Sequence, residues 1–172
     1  MERTKISQLG ESIGKKVLLK GFIHEIRDQS KVKFIILRDN SGLVQLVALP
    51  ENRKVFEKIA KIPRESVISL EGTVKKQKQA LPLGLEVHID DYEVLSEASV
   101  DIPIQVVEKG EPPALPTRLD WRWIDLRKPQ NTLVFKVWTL MESAFREYWT
   151  SNDYIEIHSP KLISTASESG EV

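Results

Sequence analysis

The chain contains no cysteine, which excludes disulfide bonds and thiolate metal sites. Its three histidines, His24, His88 and His158, are scattered and lack the i, i+4 spacing of a helical metal site, so we expect no protein-built metal centre. The sequence also lacks an apolar run near the ~18 residues of a transmembrane helix, and Met1 is not followed by the basic-then-apolar pattern of a secretory signal. These absences make a cytoplasmic protein the default expectation.

An excess of one charge sign is also missing, since 25 Lys and Arg side chains balance 25 Asp and Glu side chains. This balance argues against indiscriminate binding to phosphate backbones, which relies on many unopposed cations. It leaves specific RNA recognition open, because that uses base stacking and base-edge contacts on a local surface. Two basic clusters are most simply interpreted as solvated strand ends. They are Lys31 with Lys33, and Lys75 with Lys76 and Lys78.

The N-terminal half carries the β-branched and alternating pattern of five strands. The predicted strands cover residues 17–28, 32–38, 43–49, 66–75 and 85–95. Gly21, inside the first strand, is typical of the bend or bulge that a small barrel needs. A short helix between Pro50 and Pro63 separates the third strand from the fourth. This order predicts a mostly β fold, a five-stranded OB-fold Greek-key barrel with one inserted helix, and leaves another small barrel or a sandwich as the alternative.

Proline marks the end of this pattern. Four of the nine prolines, Pro103, Pro112, Pro113 and Pro116, lie in a stretch with little periodicity, which predicts a hinge.

Beyond the hinge, apolar residues at helical spacing predict a helix from Leu133, with Asn131 as its N-cap and a break at residues 152–153. A strand is predicted to follow from Tyr154. One helix and one strand cannot bury a core of their own. We therefore expect this segment to be either the beginning of a larger domain or an arm that packs on something else.

Two side chains of the predicted barrel are candidates for binding a base. Phe34 shares strand parity with Arg38, on the face opposite Ile35 and Leu37, and Gln45 lies on the third strand. An exposed aromatic ring can stack a base, and an amide can read a base edge with its donor and acceptor. The alternative is that Phe34 belongs to the core and Gln45 to a strand edge. Because no phosphate loop, nucleophile elbow or metal cluster is present, the residues alone indicate a binding module.

Four stretches carry a resemblance to a known family. They are VKFIILRD at 32–39 leading to VQ at 44–45, GLEV at 84–87, TRLDWRWIDLR at 117–127, and IEIHSPK at 155–161 with ASE at 166–168. Together they make the chain similar to the N-terminal part of aspartyl-tRNA synthetases of the archaeal and eukaryotic type, which are class II aminoacyl-tRNA synthetases. The resemblance implies an OB-fold anticodon-binding domain at 1–100, a hinge at 101–128, and the start of a class II catalytic domain, with motif 1 and the amino-acid loop, at 129–172.

The resemblance also implies roles for individual barrel residues. Phe34, Gln45 and Glu86 match the family positions that stack on and read the central uracil of the anticodon, and Arg27 matches a nearby arginine. This match favours Phe34 as a stacking platform rather than a core residue.

Two further positions bear on which tRNAs are accepted. His24 and Pro82 fall where discriminating archaeal enzymes carry tryptophan and lysine. Histidine and proline there resemble the non-discriminating type, which charges both aspartate and asparagine tRNAs.

In the C-terminal part, Pro160 matches the proline that ends motif 1 at the family's dimer interface. Ser167 and Glu168 match the loop that closes over the amino acid, with Ser169 and Gly170 in place of the family's usual pair of glycines.

For the full-length enzyme, the family implies ATP and Mg²⁺ as cofactors, aspartate and tRNA as substrates, and a cytoplasmic homodimer. Motif 2, with its ATP-binding arginine, and motif 3 would lie beyond Val172, so we expect no catalytic residue in this chain and no activation of aspartate by it alone. The alternatives are an asparaginyl-tRNA synthetase fragment and a free-standing OB-fold RNA-binding module.

Overall fold

The computed structural model describes residues 1–107 and 110–162. The chain divides into two units, Met1–Trp121 and Arg122–Val172. Ser167 and Glu168 of the predicted amino-acid loop lie outside the described residues.

Five strands of the first unit close into a barrel in the order β1-β2-β3-β5-β4. Strands β3 and β5 pair in parallel, and the other neighbouring strands are antiparallel. This topology confirms the predicted OB-fold Greek-key barrel, and each strand begins and ends within one residue of its predicted bounds. The strands are β1 (Lys16–Asp28), β2 (Lys33–Arg38), β3 (Leu43–Ala48), β4 (Val67–Lys76) and β5 (Leu85–Ser96).

The barrel interior is filled by apolar side chains at every second strand position, as the pleat of a strand requires. In β2, Ile35 and Leu37 are fully buried, whereas Phe34 and Arg38 lie on the outer face and are half-buried. The wall of the barrel therefore separates a dry inner face from an outer face on which polar and aromatic side chains are accessible.

A 3-10 helix at Ile6–Ser12, which the sequence analysis did not predict, contributes Ile6 to the same core. Its position is tied to the β2–β3 turn by Asp39. One carboxylate oxygen of Asp39 accepts the backbone N–H of Ile6 at 3.1 Å, and the other accepts those of Ser41 at 2.7 Å and Gly42 at 3.0 Å. Burial raises the pKa of Asp39, but the hydrogen bonds together lower it below its ordinary value.

Close approach of neighbouring strands requires glycine at two positions. A Cβ on Gly21 of β1 would lie 2.5 Å from the carbonyl oxygen of Arg38, and a Cβ on Gly72 of β4 would collide with the carbonyl of His88. The register of β1 against β2 shifts at residues 23–25, two residues beyond Gly21, and that of β4 against β5 shifts at 71–72. These irregularities bend the sheet so that it can close.

The helix predicted between β3 and β4 forms as two short pieces, α1 (Arg53–Phe56) and a 3-10 turn at Ile59–Lys61. Asn52 begins α1: its Oδ1 accepts the N–H of Val55 at 3.4 Å, and its Nδ2 donates to the carbonyl of Asp90 at 2.6 Å. The insertion is thereby held against β5, and the Val55 side chain is buried in the barrel core.

The stretch predicted as a hinge contains regular structure and buried side chains. Ile104 and Val106 are buried, and α2 (Leu115–Asp120) lies near the end of the first unit. In the second unit, the same stretch includes α3 (Arg122–Asp125).

The second unit is dominated by α4 (Pro129–Thr150), a helix of 22 residues. The predicted N-cap was wrong: the helix begins with Pro129 at its first turn, and Lys128 is the N-cap. Proline is favoured there because its missing N–H would be unbonded in any case. Asn131 lies inside the first turn, and its Nδ2 donates to the carbonyl of Asp125 at 3.1 Å.

The strand predicted after α4 was also wrong for the residues that the structure describes. Residues 154–162 run without regular structure and are exposed, Pro160 among them. A strand is stabilised by hydrogen bonds to a neighbouring strand, and the described part of this unit is otherwise helical. The segment is attached to α4 by a two-pronged ion pair in which Arg146 donates to Glu156 at 2.8 and 3.0 Å.

Candidate nucleic-acid interface

The outer face of β1, β2, β3 and β5 brings four of the sequence-predicted site residues together. In the antiparallel register, Phe34 of β2 lies opposite Arg27 of β1 on one side and Val47 of β3 on the other. The next row of the sheet pairs Gln45 of β3 with Glu86 of β5. Gln45 is therefore a diagonal neighbour of Phe34, within reach of a group bound on the ring.

Phe34 presents an accessible ring at the middle of this face. It is half-buried, while the inward neighbours Ile35 and Leu37 are fully buried. A ring in this setting keeps one surface available to a ligand, which is the requirement for stacking a base.

Gln45 and Glu86 form a polar pair beside the ring. The Nε2 of Gln45 donates to Oε2 of Glu86 at 3.3 Å, and the Nε2 of His88 donates to Oε1 of Glu86 at 2.8 Å. An ionised carboxylate only accepts hydrogen bonds, so the amide nitrogen of Gln45, not its oxygen, faces Glu86. The pair thus combines acceptor and donor groups of the kind that recognise a base edge.

Arg27 is exposed and forms a two-pronged ion pair with Glu25 of the same strand, at 3.0 and 3.2 Å. The hydrogen bond from Arg27 lowers the pKa of Glu25, and the same bond raises the pKa of Arg27. The guanidinium is therefore charged and partly oriented, with room to contact a phosphate or a base.

His24 lies at the β1 irregularity and contacts a second charged cluster. The Nη1 of Arg38 donates to His24 Nδ1 at 2.7 Å, and Nη2 donates to Glu65 Oε2 at 2.6 Å. A guanidinium cannot accept a hydrogen bond, so Nδ1 of His24 is unprotonated and its proton resides on Nε2. Burial lowers the pKa of His24, and the charge of Arg38 lowers it further.

Pro82 lies in the exposed β4–β5 loop, which leads into β5 four residues before Glu86. The loop is closed by two backbone hydrogen bonds, from Gln77 N–H to Gly84 O at 2.9 Å and from Gly84 N–H to Ala80 O at 2.7 Å. Pro82 is therefore presented on a compact loop at one end of the interface. Pro160 belongs to the other unit.

Sequence reasoning missed two contributors to this face, His88 and Glu25. Both were recognisable as polar neighbours of predicted site residues, because positions two apart in a strand share a face. The alternation of β5 places His88 beside Glu86, and Glu25 stands two positions before Arg27.

Comparison with known proteins assigns both parts of the chain. The family model for the OB-fold nucleic acid binding domain matches residues 17–95, and the model for class II tRNA synthetases (D, K and N) matches residues 114–171. The chain is 42% identical over 163 residues to a protein of Archaeoglobus fulgidus named aspartate–tRNA(Asp/Asn) ligase. The chain therefore combines an OB-fold nucleic acid binding domain with part of a class II tRNA synthetase domain. The A. fulgidus relative is named as an aspartyl enzyme, in agreement with the resemblance.

The synthetase relatives are much longer than this chain. The matched region covers 93% of the chain and 37% of the A. fulgidus protein. The same shares hold for a protein of the same name from Methanopyrus kandleri, which is 41% identical over 163 residues. The chain thus spans about 37% of the length of these relatives.

Solved synthetase structures share the fold. Asparaginyl-tRNA synthetase from Pyrococcus horikoshii, complexed with asparaginyl-adenylate, aligns with a TM-score of 0.85 and 32% identity over 99% of this chain and 39% of that one. A putative aspartyl-tRNA synthetase from Leishmania major Friedlin aligns with a TM-score of 0.84 and 28% identity over 99% of this chain and 37% of that one.

Among residues 1–107 and 110–162, no cluster of His, Asp and Glu side chains could hold a metal ion. Over the same ranges, no helix has the length and apolar character to cross a membrane.

Proposed function

We propose that the outer barrel face binds the anticodon of a tRNA, with Phe34 stacking one base and the Gln45–Glu86 pair reading its edge. The observation that carries this proposal is the register, which sets an accessible aromatic ring diagonally beside a bonded amide–carboxylate pair. The OB-fold nucleic-acid-binding family match over residues 17–95 supports it independently.

The chemistry of the pair fits a uracil. The Watson–Crick edge of uracil presents one N–H between two carbonyl oxygens, so it needs an acceptor flanked by donors. Gln45 supplies the acceptor oxygen for the central N–H. One of its two amide N–H groups is bonded to Glu86, and the other is a donor for one flanking carbonyl. Cytosine reverses donor and acceptor at two of these positions, which would leave a polar group on the protein unpaired. The resemblance assigns this base to the centre of the anticodon.

The parent activity we propose is aspartate–tRNA ligation through an aspartyl-adenylate formed from ATP with Mg²⁺. In that enzyme, Ser167 and Glu168 belong to the loop over the amino acid, and Pro160 to the motif 1 interface of a homodimer. The enzyme would act in the cytoplasm. The names of the A. fulgidus and M. kandleri relatives support this assignment. An asparaginyl enzyme is the alternative, because the P. horikoshii structure is also similar.

A second candidate concerns the range of tRNAs. We propose that the barrel accepts both aspartate and asparagine anticodons, because Pro82 offers neither a side-chain donor nor a backbone N–H. His24, in turn, is already bonded to Arg38. The A. fulgidus and M. kandleri relatives are both named aspartate–tRNA(Asp/Asn) ligase, which supports this candidate.

Titration of a labelled aspartate anticodon stem-loop with the 172-residue protein tests the anticodon proposal. We expect saturable binding that is tighter than binding to a stem-loop of identical length and charge with all three anticodon bases replaced. Equal affinity for the two RNAs would show that only the phosphate backbone is bound, and would refute base recognition by this face.

A further inference from the structure

The Glu86 carboxylate is held from both sides on the outer barrel face. Gln45 donates to one oxygen and His88 to the other, at 3.3 and 2.8 Å. Only 12% of the Glu86 side chain and 20% of the His88 side chain are exposed, so both hydrogen bonds are largely shielded from water. Shielding of this kind makes the geometry of a polar network costly to change.

The bond from His88 restricts the rotation of Glu86. In the barrel register, Glu86 lies opposite Lys75 of β4 as well as Gln45 of β3. Without the imidazole, the carboxylate would be free to turn toward Lys75 or solvent. The amide of Gln45 would then lose the partner that determines which of its ends faces Glu86.

The orientation of the Gln45 amide determines which hydrogen-bond donor and acceptor face a bound base. With the nitrogen directed to Glu86, the amide offers a defined pattern of acceptor and donor, and rotation by 180° would exchange the two. Discrimination between uracil and cytosine depends on that pattern, since the two bases differ in donor and acceptor along the same edge.

We propose that His88 is a positioning residue for base selection, holding Glu86 so that Gln45 presents one fixed hydrogen-bonding pattern to the base stacked on Phe34. His88 lies two strands from Phe34 in the row that passes through Val47, a separation of about 10 Å. It therefore acts through Glu86 rather than by touching that base. This inference rests on the proposed anticodon binding and extends it to a residue outside the matched family positions.

The test compares selectivity rather than affinity alone. Two anticodon stem-loops, with uracil or cytosine at the central position, are titrated at one salt concentration against wild type, His88→Leu and His88→Gln. His88→Leu keeps apolar bulk and removes the donor, so the uracil-to-cytosine affinity ratio is expected to fall about tenfold, as for loss of a hydrogen bond to a charged group. His88→Gln carries an amide N–H close to the position of Nε2 and is expected to keep the ratio.

A matched control comes from the same strand. Asp90 is exposed, stands two residues after His88 and forms an ion pair with Lys16 at 3.0 Å. Asp90→Asn is expected to leave both the affinity and the ratio unchanged.

The outcomes separate the inference from the function on which it rests. A wild-type preference for uracil that survives His88→Leu overturns the inference alone, and so does an equal loss in His88→Gln, which would assign the imidazole to packing or to direct RNA contact. A wild-type protein with no preference overturns both the inference and the proposed function. Nitrogen NMR tests the inference on the wild-type protein and so does not depend on the folding of a variant. His88 is expected to carry a proton on Nε2, and an unprotonated Nε2 would overturn the inference.

Discussion

Phe34 and Ile35 are consecutive residues of β2 that serve opposite sides of the barrel wall. Ile35 is fully buried in the core, whereas Phe34 is half-buried on the face that carries the Gln45–Glu86 pair. Adjacent positions can therefore separate a contribution to binding from a contribution to folding, and each serves as the control for the other.

Phe34→Ala is expected to weaken binding of the anticodon stem-loop by about 1–3 kcal/mol, the usual value of one base–aromatic stack. Its thermal unfolding should stay close to that of wild type. Ile35→Ala is expected to lower the free energy of unfolding by about 2–5 kcal/mol, because it leaves a cavity in the core. Isothermal titration and denaturant unfolding measure the two effects. Unchanged RNA affinity would refute the stacking role of Phe34, and an unfolded Phe34→Ala protein would show that this side chain mainly stabilises the fold.

The pKa of His24 gives a pH dependence with a defined sign. Burial and Arg38 lower this pKa, so the folded protein binds fewer protons at this site than the unfolded chain does. The stabilising contribution is therefore present above the unfolded pKa of about 6.5 and is lost as the pH falls through the lower, folded value. Protonation of Nδ1 would also remove the acceptor that Arg38 uses.

We expect His24→Gln to lose less stability than wild type when the pH falls from about 7.5 to about 5.5. Urea unfolding at both pH values measures the difference. The carboxylates whose pKa is lowered, such as Asp39 and Glu25, titrate below this window and do not confound it. Parallel losses in variant and wild type would contradict the assignment to His24.

Arg27 shows what alternation in the sequence cannot predict. If the side chains of β1 alternated regularly after the buried Ile23, Glu25 and Arg27 would point into the barrel. The register shift at residues 23–25 reverses that parity, so Arg27 pairs with Phe34 on the outer face. A bulge depends on how the whole sheet closes, and it is therefore invisible in a local pattern. Phe34 needed no such correction, because β2 alternates regularly with Ile35 and Leu37.

At the scale of elements, strands were predicted better than helix ends. The strands were bounded by turn residues, and β2 and the first half of β5 alternate regularly between buried and accessible positions; both are local signals. The start of α4 was misassigned because Asn131 is a good N-cap, yet Pro129 can begin the helix two residues earlier. The strand from Tyr154 depends on a pairing partner, which no local pattern supplies.

The β4–β5 loop carries a prediction about tRNA choice. Aspartate and asparagine anticodons differ at the third base, a cytosine against a uracil. Wild type is expected to bind the two anticodon arms with similar affinity. The double variant His24→Trp with Pro82→Lys is expected to shift preference toward the aspartate arm, since lysine adds a charged donor that proline lacks.

Side-by-side titration of both arms at one salt concentration measures this preference. Pro82→Lys alone, with His24 kept, reports how much of the shift comes from the loop. A wild-type preference beyond about tenfold, near 1.4 kcal/mol, would mean that the barrel already discriminates.

At the scale of the whole molecule, the two units differ in how far their apolar surface is covered. The barrel encloses its core, whereas every residue of α4 is at least partly exposed and its apolar positions recur at helical spacing. Such a helix is typical of an element that packs inside a larger domain, in agreement with a chain that spans about 37% of its relatives' length. The exposed apolar side chains of α4 include Leu133, Val137, Trp138, Leu140, Met141, Phe145, Tyr148 and Trp149.

The 172-residue chain, assayed alone, is expected to show no aspartate-dependent pyrophosphate exchange. The chain spans about 37% of the length of its relatives, and the resemblance implies that the ATP-binding arginine of motif 2 lies outside these 172 residues. The single carboxylate of Glu168, the proposed loop residue, cannot replace it. A longer synthetase relative assayed in parallel provides the positive control. Exchange above background by the purified chain would refute this prediction.

The pairing order of the barrel also constrains how the protein emerges from the ribosome. Strands β1, β2 and β3 are neighbours in sequence and can form a meander as soon as they are synthesised, but that meander has two open edges. Both edges are covered only by strands made later: β4 closes on β1, and β5 pairs in parallel with β3. Such non-local pairing is slow. The nascent chain therefore exposes the very strands that carry Phe34 and Gln45 until Ser96 has left the exit tunnel, and synthesis that pauses before that point is where aggregation is expected.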